Sequence, residues 1–273
     1  MKIVTVSNRK GGVGKSSTSL SLAYGLAQNG QRVLLIDLES QGNTTLAILG
    51  QANNLPRTAL DIFKGTPIKE TIIRTDKGFD FIAGCEKLEN AAKMFTDVEE
   101  MYILKTQLEE LRNADEYDYC VIDTPPSLQF VTLSALAATD ECIVPVNPDM
   151  FSEQGTIDMG RAIGTVRNYL QNPNLKVAGI LITRYKSNST FAQQKADEIK
   201  MYAKSLDTKI YKTKIRECVY VSESQANMTD VYSYKKGAKN NAREDYAGFL
   251  EEFMKDEKIK PKKQSTSKGK NKK

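Results

Sequence analysis

The sequence predicts an α/β fold in which a doubly wound, mostly parallel sheet carries helices on both faces. Short runs of apolar and β-branched residues alternate along the chain with longer segments whose apolar residues have helical spacing. Several of the short runs are apolar throughout, which is typical of parallel strands that are buried on both faces. With 273 residues, 40% of them hydrophobic, the chain is long enough to bury one ordinary core.

The first predicted unit is a strand, a glycine-rich loop and a helix. Residues 2–8, KIVTVSN, form a short β-branched run that predicts the first strand. After the loop, residues 15–30, KSSTSLSLAYGLAQNG, predict a helix because apolar side chains recur at helical spacing. These apolar side chains belong to Leu22, Ala23, Leu26 and Ala27.

The loop between this strand and helix has the composition of a phosphate-binding loop. The pattern G-x-x-x-x-G-K-[ST] ends at residues 14–16, GKS, but Arg9 stands where its first glycine is expected. Backbone N–H groups of Gly11–Lys15 can converge on an anion at the N-terminus of the helix. Lys15 adds a cation, and the Ser16 hydroxyl suits Mg²⁺. The loop therefore predicts a site for nucleotide phosphates and magnesium.

Two further predicted strands each end in a carboxylate. Val33–Ile36 is followed by Asp37 and Tyr119–Ile122 by Asp123, while Glu39 comes two residues after the first of these acids. Ligands of doubly wound sheets bind at the carboxyl ends of the strands, so we expect these acids beside the loop. An acid at the end of a central strand also suits a water in the hydration shell of Mg²⁺.

The remaining predicted elements continue the alternation of strands and helices. Strands are predicted at 79–83, 141–147 and 177–183, and helices at 98–112, 152–170, 191–204 and 242–254. The last of these helices is amphipathic.

Composition excludes several classes of chemistry. The chain contains no histidine, which excludes Ser-His-Asp and Cys-His catalysis and histidine-ligated metals. Its four cysteines form no C-x-x-C pair, so we expect four buried thiols rather than a zinc site or a disulfide framework. The sequence contains neither an 18-residue apolar span nor a signal peptide, and we therefore expect a cytoplasmic location.

Positive charge is concentrated at the end of the chain. Residues 255–273 hold nine lysines and two acids, although the whole chain carries only +5. Low hydrophobicity and repeated lysine predict a disordered tail at 255–273, after a folded domain at 1–254. Three interpretations of the tail stay open: a DNA-binding arm, an anchor for anionic lipid, or a solubilising end.

Three motifs of the sequence carry a resemblance to one protein family. They are KGGVGKSS at 10–17, DLESQGN at 37–43 and DTPPS at 123–127. Together they resemble the ParA-type chromosome and plasmid partition ATPases of the ParA/MinD deviant Walker A group. The later stretches VPVNPDMFSEQG, GILITRY and IRECVYVSES are similar to the same family in order and spacing, so the resemblance covers about residues 1–250.

The resemblance implies a P-loop ATPase domain that hydrolyses ATP slowly with Mg²⁺. In that family, ATP joins two copies in a sandwich dimer, which binds double-stranded DNA non-specifically. A ParB-type centromere-binding partner stimulates the hydrolysis that releases the DNA. The implied location is cytoplasmic and nucleoid-associated. The loop begins at residue 10, so we expect a Soj-like protein without an N-terminal helix-turn-helix domain.

Residue roles follow from the matched motifs. In the family, the additional loop lysine, here Lys10, reaches across the dimer to the partner's nucleotide phosphates. The implied cofactor-binding residues are Lys10, Gly11, Gly12, Val13, Gly14, Lys15, Ser16, Ser17, Arg184 and Arg216. The implied catalytic residues are Lys10, Lys15, Asp37, Glu39 and Asp123, and the implied metal site is formed by Ser16 and Asp123.

Two departures from the family pattern concern hydrolysis and DNA. Glu39 stands where D-x-D-P-Q-G-N has its second aspartate, and its longer side chain predicts slower hydrolysis because water positioning depends on geometry. In the family, Arg-Thr usually follows the TRY stretch, whereas this chain has SNST at 187–190. Tyr220 stands at a position where the family frequently has a basic residue. The candidate DNA contacts are Arg184, Lys186, Lys214 and Arg216, which alternatively contact adenine or solvent.

Other members of this loop class give competing interpretations. A MinD-like membrane-cycling ATPase is the main alternative, because the amphipathic helix at 242–254 precedes the lysine-rich tail. A P-loop tyrosine kinase is expected to carry a tyrosine cluster at its end, and residues 255–273 contain no tyrosine. The scattered cysteines do not match the cluster site of nitrogenase-type iron proteins.

Overall fold

The computed structural model describes residues 1–149, 152–235 and 239–259. Most of the predicted lysine-rich tail, residues 260–273, lies outside the described residues. The division into an ATPase domain and a disordered tail therefore stays a prediction.

A mostly parallel sheet forms the centre of the molecule. Within the described residues it contains seven strands: β1 Lys2–Val6, β2 Val33–Asp37, β3 Ile73–Arg74, β4 Asp80–Ile82, β5 Tyr119–Asp123, β6 Glu141–Val146 and β7 Lys176–Ile182. Their order is β3-β4-β2-β5-β1-β6-β7, and the two-residue edge strand β3 is antiparallel to β4. The predicted fold class is confirmed.

Helices cover both faces of this sheet. In chain order they are α1 Lys15–Gln28, α2 Asn43–Leu49, α3 Ala59–Phe63, α4 Ala91–Met94, α5 Ile103–Asn113, α6 Phe130–Ala138, α7 Ser152–Tyr169, α8 Thr190–Ser205, α9 Tyr220–Ala226 and α10 Asn241–Asp256. Short 3₁₀ helices occupy Ile68–Thr71, Glu86–Asn90 and Val98–Tyr102. The helix predicted at 98–112 therefore begins as a 3₁₀ turn and becomes α-helical at Ile103.

The strand order gathers three loops at one edge of the sheet. β5 pairs on one side with β1 and on the other with β2, and the register aligns Asp37 directly with Asp123. The glycine-rich loop after β1 and the turns after β2 and β5 are therefore neighbours. Parallel pairing of these strands thus assembles the site that the sequence predicts at their carboxyl ends.

The last helix, α10, packs its apolar face against the body of the protein. The apolar residues of this face, Tyr246, Phe249, Leu250, Phe253 and Met254, are all buried. The Phe249 ring meets the Tyr211 ring edge-on, with ring centroids 4.9 Å apart. Among the described residues, no helix combines the length and the apolar character that a membrane-spanning helix requires. The surface that suggested a MinD-like membrane helix is thus part of the core.

The folded body continues past the predicted boundary at residue 254. Helix α10 ends at Asp256, and the Glu257 carboxylate lies 2.6 Å from the Lys2 ammonium on β1. The Ile259 side chain packs against the core. A truncation that is meant to remove only the lysine-rich segment should therefore retain residues up to Ile259.

The cysteines differ in burial. Cys120 and Cys142 lie on central strands and are fully buried, and burial raises the pKa of both thiols. Cys85 and Cys218 are only half-buried. The expectation of four buried thiols is therefore wrong for these two, because both lie in connecting segments rather than on strands.

Candidate functional site

The glycine-rich loop leads from β1 directly into the N-terminus of α1. Gly12 and Gly14 have φ angles of +71° and +82°, in the left-handed region that glycine adopts without strain. Gly14 precedes the first residue of α1, and no side chain caps that end of the helix. The N–H groups at the start of α1 are therefore directed at the space in front of the loop, where they can bind an anion.

A cleft of about 810 Å³ lies in front of this loop. Its lining residues from the loop and α1 are Gly11, Gly12, Gly14, Lys15, Ser16 and Ser17, and Glu39 lines it from the turn after β2. An adjoining cavity of about 640 Å³ shares Gly12, Gly14, Ser17 and Gln225 with the cleft and is also lined by Thr183, Arg184 and Arg216. The two spaces together can accommodate an elongated, anionic ligand. Val13 instead points into the core, and its carbonyl accepts a hydrogen bond from Thr183 Oγ1 at 2.8 Å.

Lys15 supplies the buried positive charge of the cleft. Only 6% of the residue is exposed, and its Nζ donates a 3.1 Å hydrogen bond to the Lys10 carbonyl. Burial lowers the pKa of the Lys15 ammonium, while the nearby carboxylates of Asp123 and Glu39 oppose this shift. Further negative charge in the cleft would favour the charged form of this lysine.

Asp37 and Asp123 form a buried pair of carboxyl groups beside Lys15. The Asp123 oxygens accept hydrogen bonds from Ser19 Oγ at 3.2 Å and from Thr44 Oγ1 at 2.8 Å. Asp37 accepts hydrogen bonds from the backbone N–H of Glu39 and from both the N–H and the hydroxyl of Thr45. Burial raises the pKa of both carboxyl groups, and the neighbouring charge of Asp123 adds to the rise at Asp37.

Glu39 lies on the wall of the cleft, as the sequence predicts. The residue is 7% exposed, and Oε1 accepts two long hydrogen bonds of 3.3 Å, from the Ser40 hydroxyl and the Gln41 N–H. Its backbone is fixed by the hydrogen bond to Asp37, whereas its carboxylate is held only weakly. The side chain is therefore free to adopt another direction when a stronger donor is present.

The cleft also contains oxygen donors of the kind that magnesium binds. Ser16 lines the cleft, and its hydroxyl hydrogen-bonds to the Asp123 carboxylate, which opposes the rise in the pKa of that acid. Across the described part of the chain, no group of three or more histidine, cysteine or carboxylate side chains can hold a metal by itself. The residues fit a magnesium ion that takes few protein ligands and completes its shell with phosphate oxygens and water.

Lys10 lies outside the cleft lining in this structure. Its ammonium forms an ion pair with Asp149, in the segment after β6, and its backbone N–H donates to Asn8 Oδ1 at 3.0 Å. The neighbouring Arg9 forms an ion pair with Asp158 on α7. The two lysines of the loop therefore have different surroundings: Lys15 faces the cleft of its own chain, and Lys10 is held at the rim.

Comparisons with known proteins identify the family. A family model described as an AAA domain matches residues 1–177. The chain is 33% identical over 228 residues to the chromosome partitioning protein ParA of Caulobacter vibrioides, covering 82% of this chain and 84% of that protein. The chain belongs to the ParA family of partition ATPases. The resemblance in the sequence motifs is thus confirmed.

Solved structures of similar proteins have nucleotides bound. A plasmid partition protein from Borrelia burgdorferi bound to AMPPNP is 26% identical, with a TM-score of 0.75, and covers 93% of this chain and 99% of its own. Cobyrinic acid a,c-diamide synthase from Mycobacterium smegmatis, with bound ATP analogue and magnesium, is 26% identical with a TM-score of 0.80, covering 94% and 96%. The P-loop ATPase fold of this ParA-family chain is therefore established.

The basic residues predicted to contact DNA are largely paired within the chain. Arg184 and Lys186 both lie within ion-pair distance of Glu217, at 2.8 Å and 3.1 Å, and lower the pKa of its carboxyl group. Arg216 binds Asp245 at 2.7 Å and Glu244 at 3.0 Å, which ties its segment to α10. Lys214 lies over the Tyr185 ring, 4.3 Å from its centroid. Arg184 and Arg216 also line the cavity beside the cleft, so the alternative role of nucleotide contact fits their position.

Sequence reasoning missed several residues that shape this site. Thr44 and Thr45 directly follow the DLESQGN motif. Buried carboxylates need hydrogen-bond donors, so two hydroxyl side chains next to this motif are a signal that could have predicted their contacts. Gln225 on α9 donates to Ser17 Oγ at 3.1 Å, and Asp149 binds Lys10. These two partners are far from the loop in sequence, so no spacing pattern reveals them.

We predict that Thr44→Val destabilises the protein by about 1.5–3 kcal/mol, because it removes a hydrogen bond to the buried carboxyl group of Asp123 without changing side-chain volume. Urea unfolding measures the change. Thr132→Val is the matched control, since the buried Thr132 hydroxyl has no hydrogen-bond partner among the described residues. The control should be neutral or slightly stabilising. Equal losses in the two variants would contradict the assigned role of Thr44.

Proposed function

We propose that this protein is an ATP- and Mg²⁺-dependent partition ATPase whose ATP-bound dimer holds double-stranded DNA and releases it on hydrolysis. The observation that carries this proposal is the pair of loop lysines. Lys15 faces the cleft of its own chain, while Lys10 is held at the rim by an exchangeable ion pair with Asp149. A second positive charge at the rim is suited to a nucleotide bound by a second copy.

Binding of the nucleotide rests on residues of one chain. The N–H groups at the start of α1 and the Lys15 ammonium bind the phosphates, and burial strengthens both interactions. Ser16 would hold magnesium directly, and Asp123 would hold a water of its shell. That ion would supply neutralisation of the phosphate charge.

Hydrolysis depends on Glu39 in this proposal. The carboxylate lines the cleft and is weakly held, so it can accept a hydrogen bond from the attacking water and orient it. Asp37 acts as a positioning residue, because it fixes the Glu39 backbone and the start of α2 through Thr45. The longer glutamate in place of the family's aspartate is consistent with slow turnover.

Dimer formation depends on Lys10. An ion pair that is partly exposed is worth only about 0.2–1 kcal/mol, so exchanging Asp149 for a partner's phosphates costs little. ATP would thus favour the dimer by offering Lys10 a more highly charged acceptor. The similarity to chromosome and plasmid partition proteins supports this function, and so does the nucleotide bound in the Borrelia protein.

We assign DNA binding to two parts of the chain, a group of basic residues beside the cleft and the lysine-rich segment. The basic residues are Arg184, Lys186 and Arg216. Their side chains form ion pairs with carboxylates, so they contribute little free positive charge in the monomer. The lysine-rich sequence from residue 255 supplies additional charge for phosphate contacts. We further propose that a ParB-type partner stimulates hydrolysis and that the protein associates with the nucleoid in the cytoplasm.

We predict ATP-dependent binding to random-sequence duplex DNA, measured by fluorescence anisotropy across a salt series with ATP, ADP or no nucleotide. If about six lysines of the tail contact phosphates, the slope of log affinity against log salt steepens by about 5, since each contact contributes about 0.9. A chain ending at Ile259 keeps the folded body and tests the tail alone. A DNA affinity that is the same with ATP, with ADP and without nucleotide in both chains would contradict the proposal.

Replacing the glutamate should separate binding from turnover. We predict that Glu39→Gln lowers the ATP hydrolysis rate by about 10²- to 10⁴-fold, the usual contribution of a positioned base. ATP binding should persist, because Lys15 and the loop are unchanged. Glu86→Gln, an exposed acid on the 3₁₀ helix Glu86–Asn90, is the control and should hydrolyse ATP normally. Normal turnover in Glu39→Gln would remove Glu39 from the mechanism.

A further inference from the structure

The nucleotide cleft and the cavity beside it meet at a boundary that four residues line from both sides. These residues are Gly12, Gly14, Ser17 and Gln225, and we call this boundary the neck. Gly12, Gly14 and Ser17 belong to the phosphate-binding loop and the first turn of α1. Gln225 comes from α9, more than 200 residues later in the chain. A ligand that occupies both spaces must therefore pass the side chain of Gln225.

A hydrogen bond fixes the Gln225 amide at the neck. Its Nε2 donates to Ser17 Oγ at 3.1 Å, and Ser17 lies in the first turn of α1. The N–H groups at this end of α1 are the ones that can bind phosphates. The amide of Gln225 is thus held next to the phosphate end of the cleft.

The other polar atom of this amide has no partner. Across the described part of the chain, no hydrogen bond reaches Gln225 Oε1, and the residue is half-buried. An amide oxygen accepts hydrogen bonds from hydroxyl groups. The two glycines of the neck contribute no side chain, so Gln225 supplies an acceptor that the rest of the neck lacks.

The lining of the two spaces indicates which part of a nucleotide lies at the neck. The cleft holds the loop and Lys15, which suit the phosphates. The adjoining cavity has a partly apolar lining that suits a planar base, formed by Ile215, Val219, Val221 and Tyr246. In a nucleotide the ribose joins the phosphates to the base. The group at the neck is therefore the ribose, which carries hydroxyls at its 2′ and 3′ carbons.

We propose that Gln225 Oε1 accepts a hydrogen bond from a ribose hydroxyl of the bound nucleotide, so that the site prefers ribonucleotides to deoxyribonucleotides. The inference rests on the proposed ATP-binding function and names a specificity-determining residue of the same site. Because the Gln225 amide also holds Ser17, the contact connects the sugar to the first turn of α1. A hydrogen bond in a partly exposed site changes affinity by about three- to tenfold.

The preference can be measured with three diphosphates and the full chain. ADP, 2′-deoxy-ADP and 3′-deoxy-ADP differ only in their sugar hydroxyls, and the two deoxy compounds distinguish which hydroxyl is bound. Diphosphates also avoid turnover during the measurement. Isothermal titration calorimetry with Mg²⁺ gives the dissociation constant of each nucleotide, and the ratio of the constants for deoxy-ADP and ADP is the quantity of interest.

Three variants locate the effect. Gln225→Met has a side chain of similar length but lacks the amide, whereas Gln225→Glu keeps an acceptor oxygen at the same reach. Gln194→Met is the matched control, because Gln194 is exposed on α8 and lines neither the cleft nor the adjoining cavity. A ratio of two constants in the same protein is insensitive to any uniform change in affinity.

We expect the natural chain and Gln194→Met to bind one of the deoxy compounds about three- to tenfold more weakly than ADP. This difference should disappear in Gln225→Met. It should persist in Gln225→Glu, even though the added negative charge weakens the binding of all three nucleotides.

Equal affinities of the natural chain for the three nucleotides, or an unchanged preference in Gln225→Met, would overturn the inference. Loss of the preference in Gln225→Glu would overturn the role of the acceptor oxygen. None of these results would affect the proposed ATPase function, which fails separately if the chain does not hydrolyse ATP.

Discussion

The two carboxyl groups buried side by side at the ends of β2 and β5 are the constraint on which the site depends. Parallel pairing aligns Asp37 with Asp123, and both are fully buried. Two adjacent negative charges in a buried environment are unfavourable, so the surrounding residues must compensate. Hydroxyls of Ser19, Thr44 and Thr45 donate to them, and the Lys15 ammonium lies nearby. The need to satisfy these two acids therefore fixes the start of α2, the first turns of α1 and the position of Lys15.

This arrangement explains why the cleft is prepared for a polyphosphate and a cation together. Lys15 is buried, and burial lowers the pKa of its ammonium, so additional negative charge in the cleft stabilises its charged form. Asp123 is buried, and burial raises the pKa of its carboxyl group, so a nearby cation stabilises its ionised form. Phosphates and magnesium supply these opposite charges at once. The Glu39 carboxylate is held more weakly than this centre, by two hydrogen bonds of 3.3 Å, which suits a residue that changes partners during a reaction cycle.

The sequence alone predicts the centre of this site better than its periphery. The predicted residues of the centre lie next to strands or helices whose apolar residues have a clear periodicity or run. They are Gly14, Lys15, Asp37 and Asp123. Helix α6 was missed because eight of its nine residues are buried, which removes the polar face that marks an amphipathic helix. The ion pairs of Arg184 and Lys186 with Glu217, and of Lys10 with Asp149, were also missed, since tertiary contacts between distant segments leave no spacing pattern.

The central claim is that Lys10 makes dimer formation depend on ATP, and sedimentation equilibrium tests it most directly. The masses of the natural chain, Lys10→Ala and Arg9→Ala are compared with Mg²⁺ and ATP, with ADP, and without nucleotide. Arg9→Ala is the control because Arg9 is adjacent but pairs with Asp158 and does not line the cleft. The account predicts that ATP doubles the 30.4 kDa monomer mass of the natural chain and of Arg9→Ala, but not of Lys10→Ala. A mass that does not respond to ATP, or a Lys10→Ala dimer equal to that of the natural chain, would contradict it.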